Sequence, residues 1–235
     1  MTSTPVQRGP SDIRRWLAAI ELVGVLAIVG AVFDELRWLH YACKPLATLL
    51  ILAWAWRHGA PSRYRAAVIT GLVLSTFGDV ALMLPVDAFV IGLVAFLLAH
   101  IAYLVAFASR ARLVARLLPF AVYALVAGAV LSILWPHLPG DLRVPVVAYV
   151  AVLACMAAQA AVAWQVNRDA SCARAAMGAA VFVVSDAALA IDRFAMPFTG
   201  AIGVVLATYW IAQTLLAAST CDATYRWDRR ATRNP

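Results

Sequence analysis

The chain has 235 residues, 64% of them hydrophobic and 13% charged, with a net charge of +7 and a mean hydropathy of +0.85. Soluble domains carry about 45–50% apolar and about 25% charged residues, so half the usual charge cannot cover a water-facing surface on a chain of this length. A soluble enzyme is excluded, and lipid is the solvent for most of the molecule.

A membrane-spanning helix needs about 20 mostly apolar residues at 1.5 Å each. That ruler predicts eight spans in chain order, at residues 13–33, 39–56, 66–84, 89–108, 117–134, 144–166, 173–191 and 201–218. The breaks carry helix breakers and charge: Arg57 to Arg65 with Gly59 and Pro61, Pro85 with Asp87, and Trp135-Pro136 to Pro139-Gly140. The expected architecture is all-α, a polytopic bundle of eight transmembrane helices. A tail at 1–12 precedes a single transmembrane domain at 13–218, and a basic tail follows at 219–235. Arg14-Arg15 before an apolar run could open a signal peptide. That run carries Glu21 and ends in Phe33-Asp34-Glu35 without a small-residue cleavage site, so the first helix is expected to be retained.

The basic charge could suggest nucleic acid, but its distribution points to topology. One side collects Arg8, Arg14 and Arg15, then Arg57, Arg63 and Arg65, then Arg110, Arg112 and Arg116, then Arg168 and Arg174, and finally Arg226, Arg229, Arg230 and Arg233. These 15 face only Arg37, Arg143 and Arg193 on the other side, with Lys44 inside a span. A bias of 15 to 3 matches positive-inside orientation with both termini cytoplasmic in the cell (inner) membrane, and it appears only for an even helix count. Cys43, Cys155, Cys172 and Cys221 show no metal-binding spacing and are not expected to form disulfides.

Ionisable residues inside a membrane cost about 2.5–3.5 kcal/mol or more at the bilayer centre and usually mark function. Five stand out: Glu21, Lys44, Asp79, His100 and Asp186. Two belong to a repeat. Gly71-x6-Gly78-Asp79-x-Ala81-Leu82 and Gly178-x6-Ser185-Asp186-x-Ala188-Leu189 share one pattern on the third and seventh spans, which run in the same direction. Asp79, Asp186 and Lys44 each fall about 8 Å inside the outer boundary, so the three are expected in one layer. His100 belongs to a stripe with Gly92, Phe96 and Tyr103 on one helix face, about 16 Å down. Tyr209 and Gln213 share a face of the last span, where interhelical hydrogen bonding is the plain reading. Glu21, on the first span, is left without a role.

The order Lys44-Pro45-Leu46, Gly78-Asp79-x2-Leu82, Gly92-x3-Phe96-x3-His100-x2-Tyr103, Ser185-Asp186 and Tyr209-x3-Gln213 resembles the YhhN-like family. Its characterised members are lysoplasmalogenases of bacterial and animal membranes. The resemblance runs from about Tyr41 to Leu216 and implies hydrolysis of the vinyl ether bond of a lysophospholipid-type substrate, giving a fatty aldehyde and a glycerophospho-alcohol. It points to Asp79 and Asp186 as the catalytic pair. Vinyl ethers hydrolyse by slow proton transfer to carbon, forming an oxocarbenium ion that water captures. Two nearby carboxyl groups in a low-dielectric site cannot both ionise easily, which supplies one acid and one base. Lys44 could hold one partner ionised or bind the substrate phosphate; His100 and Tyr103 could orient water or the headgroup. Ser185, Tyr209 and Gln213 complete the supporting set.

No cofactor or metal is expected. Zinc sites use three or four ligands, and His100 alone of the four histidines lies deep in a span. No G-x-S-x-G is present for a serine triad. Membrane lipid is the expected partner, with no nucleic acid. Two other classes stay open: a proton-coupled transporter of a small or lipid-like solute, which would usually show Gly/Pro-broken helices, and a retinal-type receptor, which would need a central lysine.

Overall fold

A computed structural model of the chain describes residues 10–84 and 88–221. Of the expected tails, residues 1–9 and 222–235 lie outside the described residues, as do Pro85 and Asp87 of the predicted third break. Eight long helices make up the described residues: α1 (Pro10–Val32), α2 (Arg37–His58), α3 (Arg63–Ala81), α4 (Phe89–Ala108), α5 (Leu117–Leu134), α6 (Arg143–Asn167), α7 (Ala170–Ala190) and α8 (Ala201–Ala218). The predicted breakers set the boundaries. Ser62 starts α3, its hydroxyl accepting from Arg65 N at 3.1 Å, and Asp169 starts α7, its carboxylate accepting from Cys172 N at 2.6 Å. Both satisfy N–H groups that a helix start leaves without intrahelical partners.

Among the described residues, seven helices are long and apolar enough to cross a bilayer, and α2 does not pass that measure. The sequence predicts eight spans, and α2, the remaining helix, is diluted by Arg37, His40, Lys44, Arg57 and His58. Its 22 residues are still long enough to span, and it runs unbroken through Pro45. A second difference lies beyond α7. The chain continues past Ala190 in a π-turn, Ile191–Ala195, where the sequence places the span's end at 191.

The core forms where α3 packs along α4, α7 along α8 and α1 along α2, with α6 joining α4 and α7. The two matched motifs do the same job in two of these pairs. A Cβ on Gly71 would stand 2.2 Å from the Tyr103 ring, and one on Gly78 would stand 2.6 Å from Phe96, both on α4. In the second copy Gly178 lies against Ala212 and Leu216, and Ser185 Oγ donates to Val205 O at 3.0 Å, all on α8. Small residues let each motif helix approach its successor closely, which is how helices associate in lipid. At one end of the bundle Arg110 lies over the Tyr64 ring at 3.5 Å and donates to Ser171 Oγ at 2.5 Å, tying α3, α4 and α7. By contrast, α5 is peripheral, packed on α6 and meeting the π-turn. Leu117, Leu118 and Leu125 on it are each at least 70% exposed, as lipid-facing residues are.

Candidate active site

The motif on α3 buries Asp79, 2% exposed, among donors from two other helices. Thr48 Oγ1 donates to Asp79 Oδ2 at 2.7 Å and Tyr209 OH to the same oxygen at 2.8 Å. Lys44 Nζ stands 3.9 Å from Oδ1, and the lysine is 7% exposed. Trp210 Nε1 donates to Thr48 Oγ1 at 3.4 Å, which orients the hydroxyl toward the carboxylate. Lys44 and Thr48 are one helical turn apart on α2, so they reach Asp79 together. The cation and the carboxylate thus leave water as a pair, the arrangement under which buried charges persist.

Asp186, at the matching position of α7, has different company. Tyr149 OH on α6 donates to Asp186 Oδ2 at 2.6 Å. His100 Nε2 on α4 stands 3.8 Å from the same oxygen, beyond hydrogen-bond length. His100 is fully buried, and neither ring nitrogen has a hydrogen-bond partner among the described residues. Its ring packs edge-on against Phe182 at 4.7 Å and Tyr149 at 5.2 Å. An imidazole buried this way, aimed at a carboxyl group, is a polar group prepared for something other than the core.

Among the described residues, no hydrogen bond or ion pair joins Asp79 to Asp186. Aromatic rings connect the two halves instead: Tyr209, which holds Asp79, packs on Phe182 at 5.6 Å and on Phe96 at 5.8 Å, and Phe182 packs on His100. Lys44 and Asp79 meet, as their expected depth allows, while Asp186 sits with residues of α4 and α6. Tyr103 OH donates to Gln213 Oε1 at 2.7 Å and joins α4 to α8. Ser185 serves the α7–α8 contact rather than either carboxylate.

Asp186 and Tyr149 also line a narrow cleft of about 80 Å³ between α4, α5, α6 and α7. Its walls are otherwise almost entirely apolar, with Phe96, Val130 and Leu153 among them, and Arg193 of the π-turn is the basic side chain that lines it. Asp79 does not line the cleft; Phe96, which does, packs on the tyrosine that holds it. Glu21 lies in a separate groove between α1 and α8, beside Trp210 and Thr214.

Sequence reasoning missed Tyr149, Thr48 and Phe182. Thr48 carried a usable signal, one turn after Lys44 on the same face. Tyr149 is the lone tyrosine of α6, in an apolar stretch of that helix. Phe182 gave none, since its role depends on which rings surround it. Among the described residues, no three His, Cys, Asp or Glu side chains group as a metal site would require.

The chain is 32% identical to lysoplasmalogenase TMEM86B of Homo sapiens over 209 residues, covering 88% of this chain and 87% of that one. It is 29% identical to lysoplasmalogenase TMEM86A of Bos taurus, covering 88% and 83%. Similarity also extends to the uncharacterized membrane protein YhhN of Escherichia coli O157:H7, at 27% identity over 81% and 91%. No solved structure matches it. Residues 39–220, which hold both carboxylates, the lysine and the histidine, match the YhhN family model, and the chain belongs to the YhhN family.

Proposed function

We propose that the protein hydrolyses the vinyl ether bond of a lysoplasmalogen in the membrane, with Asp186 as the acid. The observation that carries this reading is an apolar cleft bearing one carboxyl group, flanked by a buried phenol and an unpartnered imidazole. A hydrocarbon chain lies along these apolar walls, and the carboxyl group meets the chain where it turns polar. Named lysoplasmalogenases among the relatives supply the reaction class.

In the proposed reaction Asp186 transfers its proton to the vinyl carbon distal to oxygen, and the carbon bonded to oxygen becomes an oxocarbenium ion. Water adds to that carbon and gives a proton back to the Asp186 carboxylate. The hemiacetal then collapses to the aldehyde and the glycerol hydroxyl. General acid–base help of this kind contributes typically about 10²–10⁴-fold. Tyr149 holds the acid by its 2.6 Å hydrogen bond, and His100 orients the incoming water. Asp79, held with Lys44, fixes a negative charge behind Tyr209 that favours the cation, so its role is electrostatic and positional. The orientation with both termini cytoplasmic belongs to the same proposal and rests on the 15-to-3 charge bias.

The test is aldehyde release by purified protein in detergent, without any ion gradient. Lysoplasmalogen is expected to yield aldehyde, and ester-linked lysophospholipid is expected to be left intact. Binding without turnover would sink the hydrolase and favour the transporter. The unbroken passage of α2 through Pro45 speaks against the transporter, because discontinuous helices are the usual transporter device.

A further inference from the structure

We infer that the groove between α1 and α8 binds a long-chain primary amine from the membrane, with Glu21 holding its ammonium group. The inference goes beyond the proposed hydrolase and does not depend on it. Its first support is Glu21 itself. The residue is exposed on α1 and lines the groove, and among the described residues no hydrogen bond or ion pair engages it. An acid that faces hydrocarbon is costly, and such residues pair with another group or mark a binding path. Among the described residues, no Lys, Arg or His lines the groove. Arg14 and Arg15 lie seven and six residues away on α1, beyond the spacing of three or four at which helical side chains pair. The counter-charge therefore comes from a ligand.

The second support is where the polar atoms sit. A Cβ on Gly24 would stand 3.1 Å from Trp210 Cε3, and one on Gly203 would stand 3.8 Å from Ile28 Cγ2. Residue numbers thus rise along α1 as they fall along α8. One turn from the Gly24–Trp210 contact, toward Arg14 and Arg15, this register brings Glu21 and Thr214 to one level. Both line the groove. From Glu21 the walls continue about 10 Å to Ile28, past Val25, Ile211 and Ala207. A polar pair near the basic start of α1, with apolar walls leading away from it, fits an amphiphile standing in one leaflet. At about 340 Å³ the groove lies at the small end of ligand sites, which favours a single chain.

The third support is the chemistry of the set. A primary ammonium has three N–H donors, and a carboxylate and a hydroxyl oxygen accept them. The Thr214 hydroxyl, like Glu21, has no hydrogen-bond partner among the described residues. Trp210 is the aromatic wall beside them, and indole is the ring that attracts cations best. Its N–H is engaged with Thr48 at 3.4 Å, which holds the ring in place. A phosphate beside Glu21 would be repelled, and a quaternary ammonium has no N–H to donate. The groove therefore selects a primary amine over phospholipids and choline lipids.

The test is photolabelling of full-length protein in phosphatidylcholine nanodiscs by a long-chain primary amine that carries a diazirine on its chain. Label is expected at residues 24–28 of α1 and 207–211 of α8. Unlabelled hexadecylamine is expected to displace it about tenfold better than hexadecanol, the scale of a hydrogen bond to a charged group. Hexadecyl phosphocholine is expected to do no better than the alcohol. Glu21→Gln is expected to erase the amine's advantage and Glu21→Asp to keep part of it. Ala207→Phe, which fills the groove, is expected to weaken labelling as a whole. Thermal melts of each variant establish that it is folded. Label placed elsewhere, a wild type in which the amine has no advantage, or a folded Glu21→Gln variant that keeps it overturns the assignment. Cross-links between two copies at residues 24–28 that the amine does not displace overturn it as well, and make the groove an interface.

Discussion

Replacing Asp79 with Asn removes the negative member of a buried pair while keeping the side chain's size and its ability to accept from Thr48 and Tyr209. Lys44 Nζ then stands 3.9 Å from a neutral amide in a site where the lysine is 7% exposed. At an effective dielectric constant of about 20 the lost attraction is about 4 kcal/mol, and removing one partner of a buried pair typically costs about 3–5 kcal/mol. For a domain of this size that corresponds to a fall in melting temperature of roughly 6–20 °C. Adding Lys44→Met removes the stranded cation, and a buried pair replaced by neutral groups of similar volume is often stable. The double variant is therefore expected to recover most of the melting temperature. Activity is expected to behave differently. Both Asp79→Asn and the double variant lose turnover by about 10²-fold or more, because the fixed charge is gone whether or not the fold is repaired. Thermal melts in detergent and aldehyde release per folded protein measure the two quantities on the same samples. A double variant that regains stability and keeps more than about a tenth of wild-type turnover would make the Asp79–Lys44 pair a strut and refute the charge argument.

Asp186→Asn is expected to melt close to wild type, since no cation depends on it, and to lose about 10²–10⁴-fold in turnover, read by aldehyde release. Gly71→Ala drives a methyl into the Tyr103 ring, at 2.2 Å from its nearest atom, and is expected to cost about 1–3 kcal/mol by separating α3 from α4, read by thermal melt. Prolonged chelation with EDTA is expected to leave turnover unchanged; activity lost and restored by zinc would sink the carboxylate mechanism. Reporter fusions at the C-terminal tail are expected to read cytoplasm and fusions near Asp141 the outside, and the opposite result would remove the positive-inside topology.

The helical class, the helix count and most boundaries were legible in the sequence, because bilayer thickness and the need to satisfy every backbone group dictate length and hydropathy one segment at a time. So was the repeat: Gly71, Gly78 and Asp79 match Gly178, Ser185 and Asp186, and small residues beside a costly acid report close helix contact without any knowledge of partners. Depth along each helix placed Lys44 and Asp79 in one layer, where they meet. What the sequence left open was rotation and neighbourhood. Asp79 and Asp186 hold equivalent positions in their motifs, yet α2 and α8 surround one with a lysine and two hydroxyls, while α4 and α6 give the other a phenol and an imidazole. Which helix lies beside which is a property of the whole bundle, since the contacts come from residues such as Tyr149 and Phe182 that no local pattern marks. The cleft is of the same kind. Its walls come from four helices and from the π-turn beyond the predicted end of α7, so only the packed chain brings the carboxyl group and the apolar walls together.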